Sequence, residues 1–278
     1  MPELAEVEFG RRTAHKVAVG RLVTEVEVAD DPIVVDGVSP TQVESALQGA
    51  TITGTGRWGK HMWIELDRRP WLVLHFGMTG GLRTHDDDPL ELETSAREVD
   101  RTWPPRFTKL RLGFDDGGEL AFTNARRLGR IRLRDDPRGE PPISKLGYDP
   151  LLELPDAADW DRRIGRKKTV VKSLLLNQAF AAGVGNWIAD EALYQARIDP
   201  RRRIHELSAP ERDRLRLAIQ EIVRTAADVN ARKDAFPEDW LFHHRWGKVE
   251  GATTAAGEAI EFLDIGGRTT AWVPGRQT

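Results

Sequence analysis

The chain has 278 residues, 40% of them hydrophobic and 31% charged, with no cysteine and a formal charge of −3. That length suffices for two domains, each with its own core. The composition excludes disulfides, thiolate catalysis and a cysteine-built zinc site. With no secretory pattern and no apolar run of spanning length, it points to a cytoplasmic protein.

Pro2-Glu3-Leu4-Ala5-Glu6-Val7-Glu8 stands directly behind Met1. If Met1 is removed, Pro2 carries a free secondary amine. An α-amino group titrates at about 7.7 to 8.0, so part of it is nucleophilic at neutral pH. Such an amine attacks a sugar aldehyde to form a Schiff base, the covalent strategy otherwise used by lysine. Glu3 lies beside the amine, and Glu6 is one helical turn away on the same face, where both can move protons. Proline at a first helical position with acids in the first turn is also ordinary helix-starting chemistry. Leu4, Val7, Arg11, Ala14 and Val17 recur at helical spacing, which predicts a helix from Pro2 to about Val19.

Strand-like segments follow at Leu22–Val28, Thr51–Gly56, Met62–Leu66, Trp71–Phe76, Lys109–Phe114, Glu119–Phe122 and Arg130–Leu133. Asp115-Asp116-Gly117-Gly118 reads as a turn between two of them. One helix followed by many short strands predicts a β-sandwich or barrel-like domain, with the acidic stretch from His85 to Asp100 as a solvated loop. After Pro150 the pattern turns helical. Lys172–Phe180 and Trp187–Ala196 read as helices joined by Ala181-Ala182-Gly183-Val184-Gly185-Asn186, with Asn186 as N-cap. Ser208 and Glu211 form a capping box for a helix reaching about Val229. Short strand-like pieces return around Gly247, Gly251, Gly257 and Gly266-Gly267.

Charge is unevenly distributed. From Trp160 to Arg203, ten basic residues stand against four acids, whereas residues 85 to 100 hold seven acids and only Arg97. Such segregation suits a basic face toward phosphates, although solvated helix faces also produce it. The Gly183–Asn186 junction offers backbone amides and a helix N-terminus to an anion, with Lys172 on the preceding helix adding charge; a tight helix–helix turn needs glycine in any case. Lys60 projects from the Arg57-Trp58-Gly59-Lys60 hairpin turn, Arg126-Arg127-Leu128-Gly129 is a second basic turn, and Met78 lies in Gly-Met-Thr-Gly-Gly. Singly these are an exposed lysine, solvated arginines and a core methionine. Together they fit a phosphate contact plus side chains that enter DNA when a nucleotide is extruded.

These motifs, in this order, resemble the formamidopyrimidine-DNA glycosylase / endonuclease VIII family. The opening matches the family's signature start, with Ala5 replacing the usual second proline. Gly59-Lys60 matches its hairpin lysine, and His75-Phe76-Gly77-Met78-Thr79-Gly80 the loop bearing a wedge methionine. Asn124-Ala125-Arg126-Arg127-Leu128-Gly129 matches the loop whose first arginine faces the orphaned base. Lys172 and Gly183–Asn186 match the helix–two-turns–helix grip on phosphates around the lesion, and Gly267-Arg268-Thr269-Thr270 the finger tip, where Arg268 contacts a phosphate.

The resemblance implies an α+β multi-domain fold. An N-terminal helix plus β-sandwich domain would span 2–135, a helical helix–two-turns–helix domain 136–240, and a C-terminal finger hairpin 241–278. DNA would bind across the cleft between domains. It implies a monomeric bifunctional glycosylase and abasic-site lyase that needs no cofactor and acts on double-stranded DNA containing a damaged base or abasic site. Pro2 would be the nucleophile, Glu3 the proton-transfer acid and Glu6 its support, with Lys60 serving catalysis and phosphate binding. His75, Met78, Arg126, Leu128, Lys172, Asn186 and Arg268 would hold the DNA.

Thr253, Ala256, Val273 and Arg276 occupy the positions of the family's zinc cysteines. Adjacent His243 and His244 cannot close a tetrahedral site. A zincless finger follows, with Phe262, Trp272 and Trp246 packing in place of metal. Leu128 stands where many members carry phenylalanine, a wedge that stacks less. The segment 232–240 does not match the glycine-rich loop that covers an extruded 8-oxoguanine. Oxidised pyrimidines, ring-opened purines, hydantoins and bare abasic sites are therefore equally open as substrates. Two other classes compete: a catalytically silent binder of damaged or abasic DNA, and a glycoside hydrolase using Glu3 and Glu6. The retained Pro2, Glu3 and Glu6 argue against the first and the basic segment against the second.

Overall fold

The computed structural model describes residues 2–85, 102–165 and 167–278. The expected acidic loop, apart from His85, lies outside them, as do Met1 and Arg166. The described chain forms two compact units, one made of residues up to Lys145 together with Asn230–Lys233, the other of Leu146–Val229 with Asp234–Thr278.

In the first unit, helix α1 (Leu4–Ala18) begins at Glu3. The Glu3 carboxylate accepts the Glu6 N–H while the Glu6 carboxylate accepts the Glu3 N–H, a reciprocal cap. Pro2 lies ahead of the cap instead of inside the first turn, so the helix-start explanation for this proline does not hold. Leu4, Val7, Ala14 and Ala18 are fully buried along one face.

Eight strands make two antiparallel sheets. One runs β1 (Val23–Val28), β6 (Thr108–Phe114), β7 (Glu119–Thr123), β5 (Gly81–Thr84). The other runs β2 (Ile52–Trp58), β3 (His61–Leu66), β4 (Trp71–His75), β8 (Arg130–Arg134). Alternation sends Met62, Ile64 and Leu66 of one sheet and Leu110, Leu112 and Phe114 of the other into one shared core. Each such side chain contributes about 1.5–3 kcal/mol through removal of apolar surface from water. A short helix, α2 (Pro40–Leu47), and strand β5 add to the expected elements.

The second unit contains α3 (Ala157–Ile164), α4 (Val171–Leu176), α5 (Asn186–Ala196), α6 (Ala209–Asp228) and a hairpin of β9 (Glu261–Ile265) with β10 (Arg268–Trp272). Ser208 and Glu211 cap α6 reciprocally, as the spacing predicts. The helix expected to reach Phe180 stops at Leu176, because Gln178 folds the chain into two turns: its Nε2 donates to the Leu176 and Val184 carbonyls and its Oε1 accepts the Gly183 N–H. Gly185, not Asn186, is the N-cap of α5. Gly266 and Gly267 both adopt positive φ between the paired Ile265 and Arg268, as a tight two-residue hairpin turn requires. Gly247, Gly251 and Gly257 lie outside the two hairpin strands, each at positive φ.

Much of the expected basic excess is neutralised. Arg162 and Arg163 pair with Asp159, Arg201 with Asp199, Arg202 with Glu211, and Lys172 with Asp190. Asp159 and Glu211 lie just outside the counted window, so the count overstated the face.

Candidate active site

Pro2, Glu3 and Glu6 form one buried group at the start of α1, with Glu3 2% and Glu6 8% exposed. Burial pushes the Glu6 carboxyl up to about 7, and the neighbouring Glu3 carboxylate pushes in the same direction. Glu6 therefore holds a proton near neutral pH beside the proline.

The next residues of α1 fix its surroundings. Burial alone would raise Glu8, but hydrogen bonds and charges from Arg11 and Arg57 overcome this and hold it below the usual carboxylate range. Arg57 at the end of β2 donates Nε to Glu8 Oε2 at 3.0 Å and Nη1 to the Gly59 carbonyl at 3.0 Å. Its guanidinium thus links the helix to the Gly59-Lys60 turn. Gly59 has φ +59 between the paired Trp58 and His61, and Lys60 is half-buried there.

His75 lies opposite His61 on neighbouring strands, with ring centroids 4.6 Å apart. Burial holds His61 down at about 3, with His75 and Arg132 adding to it. It holds His75 down at about 4, with Lys60, Arg132 and Arg130 adding to it. Both rings are neutral at physiological pH, and the positive charge of this patch comes from Lys60 and the β8 arginines.

Three loop segments of the first unit converge on Asn124, which is fully buried. Its Nδ2 donates to the Phe76 carbonyl, its Oδ1 accepts the Gly129 N–H, and its own N–H donates to the Phe107 carbonyl. A Cβ on Gly77 would collide with the Leu128 backbone, so the glycine lets the Met78 loop and the Leu128 loop touch. Phe76 anchors the first of these, with its ring against Gly10 of α1 where a Cβ has no room. In the second loop the two arginines divide. Arg127 binds Asp31 through Nε and Nη2, and that bond, with Lys109 adding to it, holds Asp31 far below the usual carboxylate range. Arg126 and Leu128 are exposed.

In the second unit, Lys172, Asn186 and the finger strand β10 meet. Lys172 is fully buried. Its Nζ binds Asp190 and donates to Thr270 Oγ1 at 2.7 Å and to the Thr269 carbonyl at 3.4 Å. Asp190 also accepts Arg245 Nη2 at 2.5 Å and the Ala271 N–H at 3.1 Å. The expected surface charge of Lys172 is thus spent inside the protein, on a carboxylate 18 residues away that helical spacing does not reveal. Asn186 Nδ2 donates to the Thr269 carbonyl at 2.8 Å, which leaves its backbone N–H, in the first turn of α5, for an anion. Arg268, the first residue of β10, is exposed.

The sequence matches the family model of the formamidopyrimidine-DNA glycosylase N-terminal domain over residues 1–131 and that of the formamidopyrimidine-DNA glycosylase H2TH domain over 146–236. A formamidopyrimidine-DNA glycosylase of Arabidopsis thaliana is 39% identical, aligned over 99% of this chain and 70% of its own length. One from Pelobacter propionicus is 31% identical over 99% and 98%. The chain belongs to the formamidopyrimidine-DNA glycosylase family. The crystal structure of the Lactococcus lactis formamidopyrimidine-DNA glycosylase, non-covalently bound to DNA containing an abasic site, superimposes with a TM-score of 0.81. It is 26% identical and aligned over 99% of both chains. A variant of the same enzyme bound to Fapy-dG DNA also gives 0.81, at 26% identity over the full length of both.

The finger of this family member offers no zinc ligands. Thr253, Ala256, Val273 and Arg276 supply neither thiolate nor imidazole, and among the described residues no cluster of His, Asp and Glu could hold a metal. In their place Glu258 Oε2 accepts from Tyr194 Oη and Thr254 Oγ1, both at 3.3 Å, and from Arg276 at 3.5 Å. The Arg276 guanidinium also lies 4.4 Å from the Tyr194 ring centroid. Trp272 is buried under Arg201, and Phe262 packs on Tyr194, Leu241, Ile260, Ala271 and Val273, in line with the expected aromatic substitution. Trp246 instead packs edge-on against Phe242. Phe236 and Trp240 of the segment 232–240 are buried with Trp187 and Phe242. Sequence reasoning missed Glu8, Gly10, Arg57 and Asn124. Glu8 stood in the opening motif, Arg57 in the RWGK turn and Asn124 at the head of its loop, all without a role, and nothing signalled Gly10.

Proposed function

We propose that this DNA glycosylase of base excision repair is bifunctional, joining base excision to strand cleavage at the abasic site through the Pro2 amine. The observation that carries the reading is the position of Pro2. It stands outside α1, where helix initiation does not account for it, buried beside a Glu6 carboxyl that titrates at about 7.

With Met1 removed, the Pro2 nitrogen attacks C1′ of the damaged nucleotide, and the base departs with the glycosidic electron pair and a proton. Glu3 passes a proton to the ring oxygen as the sugar opens to an iminium. Loss of a C2′ proton then expels the 3′ phosphate by β-elimination, and water returns the amine. Glu6 supports Glu3 through the shared cap. Lys60 and Arg268 contact phosphates as charges, and Asn186 does so through its backbone N–H. Met78, Arg126 and Leu128 occupy the gap left by the extruded nucleotide, and His75 lines the approach as a neutral donor. Lys172 serves the same DNA from the interior, by holding the strand that carries Arg268. The partner is double-stranded DNA with a damaged base or abasic site, and the working division is 2–135, 136–240 and 241–278.

Borohydride trapping on a duplex with one abasic site tests the reading, with N-terminal mass confirming the loss of Met1. The native chain should give a covalent band that Pro2→Gly weakens or loses and Glu3→Gln alters. Tight binding without any band would reduce the protein to a lesion binder.

A further inference from the structure

Phe107 has no place in the assignments above, yet it is the most conspicuous apolar side chain near the wedge loops. It is 51% exposed, more than the 43% of Leu128. Its backbone adopts φ +62, a left-handed conformation in which a bulky aromatic is rare and unfavourable. Glycine would take that conformation freely, so the aromatic side chain is present at a conformational cost. It is held by the neighbouring pairing: the Phe107 carbonyl accepts the Asn124 N–H, and the next residue, Thr108, pairs with Thr123. Asn124 is also the residue whose side chain ties the Met78 loop to the Leu128 loop. The surroundings are cationic, with the Arg106 guanidinium 5.2 Å from the Phe107 ring and Arg126 exposed on the adjoining loop.

We propose that Phe107 is a DNA-stacking residue, an aromatic face for a base at the extrusion site that supplements the aliphatic Leu128. The proposal rests on the DNA-glycosylase reading. An aliphatic wedge fills space but stacks poorly, and an aromatic presented from a loop tied to the same asparagine supplies the missing face. Basic side chains around it match the phosphates flanking that base, which favours nucleic acid over an apolar protein partner as the occupant.

The test compares the native chain, Phe107→Gly, Phe107→Trp and Leu128→Ala on two duplexes of identical sequence. One is intact and one carries a tetrahydrofuran abasic analogue, with 2-aminopurine opposite it. Phe107→Gly relieves the left-handed strain, so its Tm should equal or exceed that of the native chain. Affinity for the tetrahydrofuran duplex should nevertheless fall about tenfold, with affinity for the intact duplex within twofold. Phe107→Trp should restore binding and quench the 2-aminopurine. Unchanged lesion affinity in Phe107→Gly, or an equal loss on both duplexes, overturns the proposal while leaving the glycosylase reading intact. If the native chain shows no preference for the tetrahydrofuran duplex, both fall.

Discussion

Arg57 Nε donates to Glu8 Oε2 at 3.0 Å, and both side chains are removed from solvent. Because the same guanidinium donates to the Gly59 carbonyl, helix α1, which follows directly on Pro2 and Glu3, and the turn that carries Lys60 are held at one relative position. Breaking a buried pair costs up to about 3–5 kcal/mol when a charge is left uncompensated. Glu8→Gln, which removes the carboxylate that Arg57, Arg11 and Arg12 share, should destabilise more in urea unfolding than Arg57→Met, after which Glu8 keeps Arg11 and Arg12. The double substitution should cost less than the sum, because the two side chains are direct partners.

Two carboxyls that titrate at about 7, Glu6 in the first unit and Glu191 in the second, set a pH dependence. Burial is the leading cause for both, so each folded value is raised above its unfolded one. The stability they contribute is fully present below about pH 4.3, the unfolded value, and is lost as pH rises through 7. A rise of this size corresponds to about 3 kcal/mol per group. His61 and His75, held at about 3 and 4, oppose that loss up to about pH 6.5. Denaturation between pH 5 and 8 therefore gives a sum in which the two carboxyls supply a slope of falling stability that ends just above pH 7. Glu6→Gln and Glu191→Gln should each flatten part of that slope, and a slope untouched by both substitutions would refute the assignment.

Gly10 gives the wedge loop its seat, since the Phe76 ring occupies the space a Cβ would need. Gly10→Ala should overpack this contact and destabilise by about 1–3 kcal/mol, despite the better helix propensity of alanine. Phe76→Leu in the same chain should recover part of the loss. A Gly10→Ala variant that is more stable than the native chain would show that propensity outweighs the contact.

What the sequence disclosed follows from the range of each interaction. Ser208 and Glu211 announced α6 because a capping box spans only four residues, and the Pro2–Glu6 group was legible for the same reason. Helix α2 carries equivalent signals in Ser39, Pro40 and Gln42, but its eight residues bury only Val43 and Leu47 and show little periodicity. Strand β5 is hidden by Gly80-Gly81, which reads as a turn, and its pairing with β7 is non-local. The supporting contacts of the candidate site are more distant still. Arg57 reaches Glu8 across 49 residues, and Asn124 reaches Phe76 across 48. Residue type alone could not tell that Arg127 is consumed by Asp31 or Lys172 by Asp190 while Arg126 stays exposed.

The buried position of Lys172 separates two roles that its charge alone would merge. A lysine on a phosphate releases a counterion, so removing it lowers the slope of log affinity against log salt by about 0.9. A lysine bonded to Asp190 and Thr270 releases none. Arg268→Ala should therefore weaken duplex binding and reduce the slope by about 0.9. Lys172→Met should weaken binding with the slope unchanged, and its effect should vanish in the Arg268→Ala background, because it acts by placing β10. Chelators should alter none of these values, since Glu258, Tyr194 and Arg276 clasp the finger without metal. A reduced slope for Lys172→Met in both backgrounds would mean that Lys172 leaves its buried pair to meet the phosphate directly.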